Sequence, residues 1–494
     1  MIAMNNAIVH GGYFTQYITG ASDGRKGGSP PLSETICALI LVAEPFIILK
    51  GAVAHTAFHN SAARSDPPRC LPNTRIAVLN KIMDWLRRRD SDTWDFFIMW
   101  LTGAAGAGKS AIAQSFIELC VDLNDLVIAS FFFGRSDGTR NHAGAFVATL
   151  AYQIYDSVPD VRPAILSVID SDPFIFTRSL EYQFLELIAK PLNKFLSSGI
   201  PWGFRSCRVI VIDGLEECLD REAQQRILWT ISKAIREFNL PVLFLIASRP
   251  EHDINVAFGS TEMTGIYARL YLDESYNPDD DIRIFLEHSF EDIKNNHPYN
   301  SYLPKLWPTP PVVESLVQRS SGQFIYPATV VRYVRSIRHQ PRHRLDVTMN
   351  LRPPQGDLPF AQLDAIYCLI LSTARDIKQV LYALSVYSHG LVQNSSYFNI
   401  SQFMSLDDES DLDILFCDIQ ALVSVEIVEG HDGEEIKTLK VLHASLNDYL
   451  MDPTRSQEFF IDIQTYRTEH IANILRYIGL RECFLWIFGR IFNQ

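Results

Sequence analysis

A glycine-rich segment has the residue types and spacing of a phosphate-binding loop. It fills every fixed position of the pattern GxxxxGK[ST] and consists of Gly103, Ala104, Ala105, Gly106, Ala107, Gly108, Lys109 and Ser110. Small residues between the glycines let backbone N–H groups close around phosphate oxygens, while Lys109 neutralises the β and γ phosphates and the Ser110 hydroxyl ligates Mg2+. An apolar run, Phe96–Leu101, precedes the loop and a helical pattern, Ala111–Cys120, follows it. This context predicts a site for Mg-ATP or Mg-GTP rather than an ordinary Gly/Ala-rich turn.

Acidic residues follow a second apolar run, Val209–Ile212. Asp213 comes directly after this run, and we expect its carboxylate to hold the metal. Glu217 lies four residues further on and is the candidate for orienting the attacking water. The alternative is that these acids only cap the helix that starts near Asp220, a role that suits Glu216 better than Glu217.

An arginine follows a third apolar run, Val242–Ala247. Arg249 would lie at the carboxyl edge of a parallel strand, where ligands bind in sheets of this kind. We therefore predict that Arg249 senses the γ-phosphate. The alternative is a surface salt bridge with Glu251 or Asp253.

The elements that must position these residues alternate between strands and helices. A further apolar run, Val127–Phe133, completes a set of four candidate buried strands, with helical patterns between them. Such alternation predicts an α/β fold, a P-loop NTPase with a doubly wound parallel sheet. Beyond about residue 260 amphipathic helical spacing dominates, and 423–428 with 436–442 would form a hairpin. We expect an all-helical region followed by a winged-helix-like domain.

These patterns divide the chain into six segments. The predicted order is a leader with an apolar segment (1–54), a helical linker (55–94), the NTPase core (95–260), a helical domain (261–355), a winged-helix-like domain (356–460) and a helical tail (461–494).

Composition narrows the functional classes. The 494 residues carry a net charge of −13 and form no long basic block, so we expect no nucleic-acid partner. Eight cysteines without a CxxC pair favour a reducing, cytoplasmic setting over a zinc site or disulfide framework.

The apolar stretch 36–49 is interrupted by Glu44 and Pro45, whereas a bilayer span needs about 20 apolar residues. A buried helix is the favoured interpretation of this stretch, and membrane contact is the alternative.

Several segments together resemble one protein family. They are FFIMWLTGAAGAGKSAIAQS, VIVIDGLEEC, LFLIASRPE and LHASLNDYL. The set is similar to the NACHT branch of the STAND class of P-loop NTPases, which includes NOD-like receptors, and most closely to the nephrocystin-3-like NACHT proteins of mushroom-forming fungi. Further segments agree, among them HNSAARSDPPRCLPNTR and ASFFFGR, and the resemblance extends over about residues 55–460.

The resemblance implies an ATP/ADP-operated switch with slow hydrolysis, which self-associates and meets protein partners in non-self recognition or cell death. By the family pattern Asp213 is the metal-site acid, Glu217 the hydrolytic acid and Arg249 the sensor. His443 matches the winged-helix histidine that contacts the ADP β-phosphate in animal relatives. Ser445 fits that motif, whereas Leu446 replaces its usual phenylalanine and Asp448 its usual acid.

Two other functions are compatible with the sequence. One is a scaffold that binds nucleotide without useful hydrolysis. The other is a P-loop phosphotransferase, which would need an Arg-rich lid that the sequence between residues 140 and 200 does not supply. Family members often continue into WD40, ankyrin or TPR repeats, so we expect this chain to be a truncated product, a module acting in trans or a repeat-less paralogue.

Overall fold

The computed structural model describes residues 7–10, 13–16, 44–64, 67–122, 127–135, 137–197, 208–238, 240, 242–350, 360–388, 400–404, 410–429, 435–462, 464–466, 468 and 470–473. The first part of the apolar stretch 36–49 lies outside these residues, and residues 44–51 are helical. No described helix is both long and apolar enough to cross a membrane.

Nine strands lie in the described residues. They are β1 (Ala7–His10), β2 (Tyr13–Gln16), β3 (Ile98–Thr102), β4 (Val127–Phe132), β5 (Arg208–Asp213), β6 (Val242–Ser248), β7 (Tyr267–Tyr271), β8 (Val423–Glu429) and β9 (Glu435–Val441).

The described α-helices fall into two groups. Those interleaved with the strands up to β7 are α1 (44–51), α2 (Ile76–Leu86), α3 (Lys109–Asp122), α4 (Phe146–Ser157), α5 (Arg162–Ser171), α6 (Leu180–Phe184), α7 (Lys190–Ser197), α8 (Arg221–Phe238) and α9 (His252–Phe258). Those beyond β7 are α10 (Pro278–Asn296), α11 (Pro310–Ser320), α12 (Ile325–Val334), α13 (Pro341–Asn350), α14 (Ala361–Leu371), α15 (Ile377–Ser388), α16 (Ile400–Phe403), α17 (Ser410–Phe416), α18 (Ala444–Leu450) and α19 (Pro453–Ser456).

The central sheet has five parallel strands in the order β4-β5-β6-β3-β7. The four predicted strands are present, and they form the parallel sheet of the predicted P-loop fold. The fifth strand, β7, was not predicted, because at the sheet edge its side chains are only partly buried and its sequence YARLY lacks a continuous apolar run. The sheet therefore extends past residue 260.

Helices cover both faces of this sheet because successive side chains of a strand point to opposite faces. On β3, Met99 and Leu101 pack with α2 and α3, whereas Ile98 and Trp100 pack in the core formed with α4–α9. All five residues of β3 are buried, which explains the continuous apolar run that marks this strand in the sequence.

The second half of the chain is built around one further core. This core is continuous from Ile282 in α10 to Ile461 after α19, and it includes residues of α14, α15 and the β8–β9 hairpin. The hairpin is antiparallel, with Val423 opposite Val441. The predicted helices beyond residue 260 and the predicted hairpin are therefore present, and α18 follows the hairpin.

The start of α2 lacks a side-chain cap, and the nearby Thr74 hydroxyl donates to the Leu71 carbonyl at 2.7 Å. Arg75 occupies the capping position in a left-handed conformation, with φ +56°. A tight turn at residues 71–74 thus leads into this helix and uses the threonine hydroxyl itself.

Candidate nucleotide-binding site

The phosphate loop connects the end of β3 to the start of α3. Gly106 and Gly108 have φ angles of +78° and +92°, which residues with a Cβ rarely adopt. A Cβ on Gly106 would lie 2.2 Å from Cγ2 of Ile325, so the loop also packs tightly against the start of α12. The two glycines are required for the turn. The lack of a side chain at Gly106 also lets α12 pack against the loop.

Lys109 is the first residue of α3 and is only 8% exposed. Its ammonium donates to the carbonyls of Gly103 at 2.8 Å and Ala104 at 3.0 Å. Burial lowers the pKa of Lys109, and the nearby Glu216 carboxylate opposes that shift. A phosphate in the loop would provide a charged partner for this buried ammonium.

The metal-site candidates lie on neighbouring elements. Asp213 ends β5, and the Ser110 hydroxyl at the start of α3 acts on its carboxylate. Burial raises the pKa of Asp213 to about 6, against the opposing effects of Ser110 and Arg64. Within the described part of the chain its Oδ1 atom is buried and has no hydrogen-bond partner.

The donor set at Ser110 and Asp213 fits Mg2+. A hydroxyl and one carboxylate with an unsatisfied oxygen match the few protein ligands that Mg2+ takes, since phosphates and water complete its shell. No group of three or more His, Cys, Asp or Glu side chains that suits a metal occurs among the described residues. A bound nucleotide would have to supply the remaining ligands of a Mg2+ ion held by Ser110 and Asp213.

Glu217 lies in a short 3-10 turn after β5, entered through Gly214 at φ +70°. Its Oε2 atom accepts a hydrogen bond from the backbone N–H of Arg135 at 3.1 Å. Burial raises the pKa of Glu217 to about 7, and the charge of Glu216 adds to the shift. A carboxylate with a pKa near neutrality suits the orientation and deprotonation of water.

The capping alternative for these acids is wrong. The cap of α8 is Asp220, whose Oδ1 atom accepts from the Ala223 N–H at 3.0 Å. Glu216 is instead 5% exposed and faces Arg249, with 3.4 Å between Oε1 and Nε. It contributes negative charge to the site rather than stabilising the helix.

Arg249 follows the last residue of β6 and points over the carboxyl edge of the sheet. Its Nη1 atom donates to Oδ2 of Asp448 in α18 at 2.7 Å. The surface-pair alternative is therefore wrong: Arg249 pairs with Asp448 and Glu216, while Asp253 lies 3.5 Å from Arg221.

His443 lies between β9 and α18 and caps that helix. Its Nδ1 atom accepts from the Ser445 N–H at 3.0 Å. Burial lowers the pKa of His443 to about 3, and the positive charges of Arg249 and Lys109 contribute. The charge of Lys109 in the phosphate loop thus acts on this histidine, although the two residues are 334 positions apart in the sequence.

Two further arginines belong to the site and had no predicted role. Arg135 follows β4, and its Nη1 atom lies 3.4 Å from Oδ1 of Asp448. Its position directly after a parallel strand is the same signal that identified Arg249. Arg75 donates to the Ala107 carbonyl of the loop at 2.9 Å and lies over the Phe324 ring at 4.8 Å. Its left-handed backbone gave no signal in the sequence.

A cavity of about 410 Å3 separates the loop from α18 and α19. Its walls include Ala105 of the loop, Arg249, and Asp448, Asp452 and Arg455 from the second half of the chain. Charged side chains from the core and from the second half of the chain thus face each other across this cavity.

We compared the sequence with models of protein families and with curated proteins. The sequence profile of the family described as "Nephrocystin 3, N-terminal" matches residues 76–249, less than half of the chain. The comparison with curated proteins found no match.

Solved structures similar to this chain include three proteins. The Aeropyrum pernix ORC1 protein in complex with DNA is 15% identical, with 82% of this chain and 95% of that chain covered, at a TM-score of 0.35. Cdc6p from Pyrobaculum aerophilum is 13% identical, with coverages of 80% and 96% and a TM-score of 0.36. PCH-2 of C. elegans is 13% identical, with coverages of 59% and 69% and a TM-score of 0.30.

The parallel sheet, the loop between β3 and α3 and the acid at the end of β5 form one nucleotide-binding arrangement. The matched family profile covers the loop, this acid and four of the five strands; β7 lies beyond its end. The chain is a P-loop NTPase whose core, over residues 76–249, is similar to the nephrocystin-3 N-terminal family.

Proposed function

We propose that this protein is a STAND-type regulatory NTPase, an intracellular ATP/ADP-operated switch. In this proposal ADP keeps the region that contains α18 docked on the NTPase core, and exchange for ATP releases it for self-association. The observation that carries the proposal is the Asp448 carboxylate, which lies between Arg249 at 2.7 Å and Arg135 at 3.4 Å. Both arginines belong to the core, whereas Asp448 belongs to the second half of the chain.

This arrangement offers a physical link between nucleotide and docking. Arg249 follows a central strand at the sheet edge that holds Asp213, where a γ-phosphate is expected. A phosphate there would compete with Asp448 for the same guanidinium, because both are anions that accept charge-assisted hydrogen bonds. ATP would then weaken the contact that ADP leaves intact.

The other residues have roles that follow from their surroundings. Lys109 and the loop N–H groups would bind the β and γ phosphates, and Ser110 with Asp213 would hold Mg2+, which neutralises phosphate charge. Glu217 would orient the attacking water, and His443 would contact the β-phosphate of ADP. The choice of adenine and the setting in non-self recognition or cell death rest on the resemblance of the sequence to fungal NACHT proteins.

The test begins with the nucleotide that the protein carries. We expect natively purified protein to release ADP on denaturation, as measured by ion-exchange chromatography of the supernatant, and Lys109→Ala to carry little or none. Lys294→Ala is the matched control, because Lys294 pairs with Glu291 on the surface of α10, away from the loop. Equal nucleotide content in the Lys109 variant and the control would contradict the proposal.

The switch requires a second measurement. Light scattering during gel filtration should give a monomer with ADP and a larger species with a slowly hydrolysed ATP analogue. A monomer with both nucleotides, together with rapid turnover, would exclude a switch. Bound nucleotide without measurable turnover, unchanged by Glu217→Gln, would favour the scaffold function instead.

A further inference from the structure

A chain of three hydrogen-bonding groups reaches His443 from α14. The Tyr367 hydroxyl lies 2.7 Å from the Ser445 hydroxyl, which lies 2.7 Å from Nδ1 of His443. Tyr367 is 1% exposed and Ser445 2% exposed. Both hydroxyls are thus removed from bulk water, where an unmade hydrogen bond is costly.

The direction of every hydrogen bond in this chain follows from one backbone group. The Ser445 N–H can only donate, and it does so to Nδ1 of His443 at 3.0 Å. Nδ1 therefore carries no proton, and its one lone pair is shared by this N–H and by the Ser445 hydroxyl, which lies 2.7 Å away and donates its proton. That proton is then committed, and the Tyr367 hydroxyl must donate to the Ser445 oxygen.

The consequence for His443 is a defined tautomer. A neutral imidazole with an accepting Nδ1 carries its proton on Nε2. Burial lowers the pKa of His443 to about 3, so the ring stays neutral and Nε2 keeps the single N–H. Burial likewise raises the pKa of Tyr367, which keeps the first donor of the chain protonated.

Tyr367 is itself held in place by packing and an ion pair. Its ring meets that of Tyr449 edge-on, at 5.4 Å between centroids. One turn earlier in α14, Asp364 accepts two hydrogen bonds from Arg455, at 2.7 and 3.1 Å. The α14 helix is thereby fixed against α18 and α19, which gives the Tyr367 hydroxyl a set position relative to His443.

We propose that Tyr367 is a positioning residue that, through Ser445, fixes the ring of His443 so that Nε2–H is presented to the phosphates of a bound nucleoside diphosphate. This inference rests on the proposed function and adds to it a residue from a different helix. Tyr367 does not touch the nucleotide in this proposal. It acts only by orienting the donor that does.

The test measures the dissociation rate of a fluorescent ADP analogue (N-methylanthraniloyl-ADP) from the full chain. His443→Ala should accelerate dissociation about 10- to 100-fold, because a hydrogen bond to a charged phosphate is lost. Tyr367→Phe keeps the ring and should accelerate it roughly fivefold, the effect of one neutral hydrogen bond. Tyr449→Phe removes a hydroxyl from the adjacent ring and is the matched control, with no expected change.

The double variant Tyr367→Phe/His443→Ala separates positioning from general destabilisation. If Tyr367 acts through His443, Tyr367→Phe has no further effect once His443 is alanine. The same acceleration in both backgrounds would overturn the inference, as would a Tyr367→Phe rate equal to that of Tyr449→Phe. Unchanged dissociation from His443→Ala, with binding still lost in Lys109→Ala, would overturn this inference and leave the phosphate loop intact. Absence of any binding by the wild type would overturn the proposed function as well.

Discussion

Replacing Asp448 with asparagine removes one negative charge from between two arginines and keeps the size of the side chain. Asp448 and Arg249 have side chains that are 23% and 18% exposed, and their atoms approach to 2.7 Å. A partly buried, charge-assisted hydrogen bond of this kind contributes about 1.5–3 kcal/mol. Arg135 is 35% exposed and lies 3.4 Å away, so solvent screening limits that contact to about 0.5 kcal/mol.

The free energy lost in Asp448→Asn is smaller than the full value of this hydrogen bond, because Arg249 keeps a second acidic partner. Arg249 keeps its contact with Glu216 at 3.4 Å, so its charge is not left alone in the site. We therefore expect docking of α18 on the core to weaken by about 2 kcal/mol, which is about a 30-fold shift of the docking equilibrium.

Hydrogen exchange measured by mass spectrometry reports this equilibrium directly. With ADP bound, amides of α18 should exchange about 30-fold faster in Asp448→Asn than in the wild type. Peptides from α4 and α5, which lie in the core away from this contact, should be unchanged. The variant should also release ADP faster, since the closed interface covers the loop.

Asp452→Asn is the matched control for this experiment. Asp452 lines the same cavity, but its side chain accepts hydrogen bonds from the N–H and hydroxyl of Thr454, at 2.9 and 2.7 Å, and neither Arg249 nor Arg135 pairs with it in the described structure. The reasoning is refuted if α18 exchanges equally fast in the two variants. It is also refuted if Asp448→Asn speeds exchange throughout the chain, because that would indicate global destabilisation.

Two further predictions concern the core. Burial raises the pKa of Glu217 from its ordinary 4.5 to about 7. Between these pH values the folded protein without nucleotide and metal binds a proton that the unfolded chain has released. The free energy of unfolding therefore falls as the pH rises through this range. The Tm advantage of Glu217→Gln over the wild type should therefore grow from pH 5 to pH 8, to the equivalent of on the order of 1–3 kcal/mol, and a constant difference across this range would contradict the assignment. Gly106→Ala adds a Cβ 2.2 Å from Ile325 at φ +78° and should lower the free energy of unfolding by about 2–4 kcal/mol in urea titrations. Gly108→Ala, with φ +92° and open space around the new Cβ, should lower it by only about 1–2 kcal/mol, and equal losses would show that the Ile325 contact is not tight.

Much of the core was predictable from the sequence. Buried parallel strands are apolar throughout their length, so β3, β4, β5 and β6 are visible as runs of residues. Because ligands bind at the carboxyl edge of such a sheet, the residues directly after those runs were site candidates, and Asp213 and Arg249 do lie there. The edge strand β7 was missed because partial burial removes the apolar signal.

The partners of these residues were harder to predict. Arg249 had two acids nearby in sequence, yet it pairs with Asp448, which is 199 positions away. Arg135 meets the same carboxylate across 313 positions. Short-range charge patterns carry no information about such pairs, because they depend on how α18 packs against the sheet edge.

The sequence by itself determined the phosphate loop, since eight consecutive residues supply its turn, its lysine and its hydroxyl, and local backbone geometry brings them together. It also determined the order of the central elements, because burial on both faces demands apolar runs. Only the tertiary structure decided that Asp448 closes the site between two arginines, and that Tyr367 reaches His443 through Ser445. The physical reason is that each of these contacts joins helices or strands whose relative position follows from the packing of whole cores, not from the conformation of any one segment.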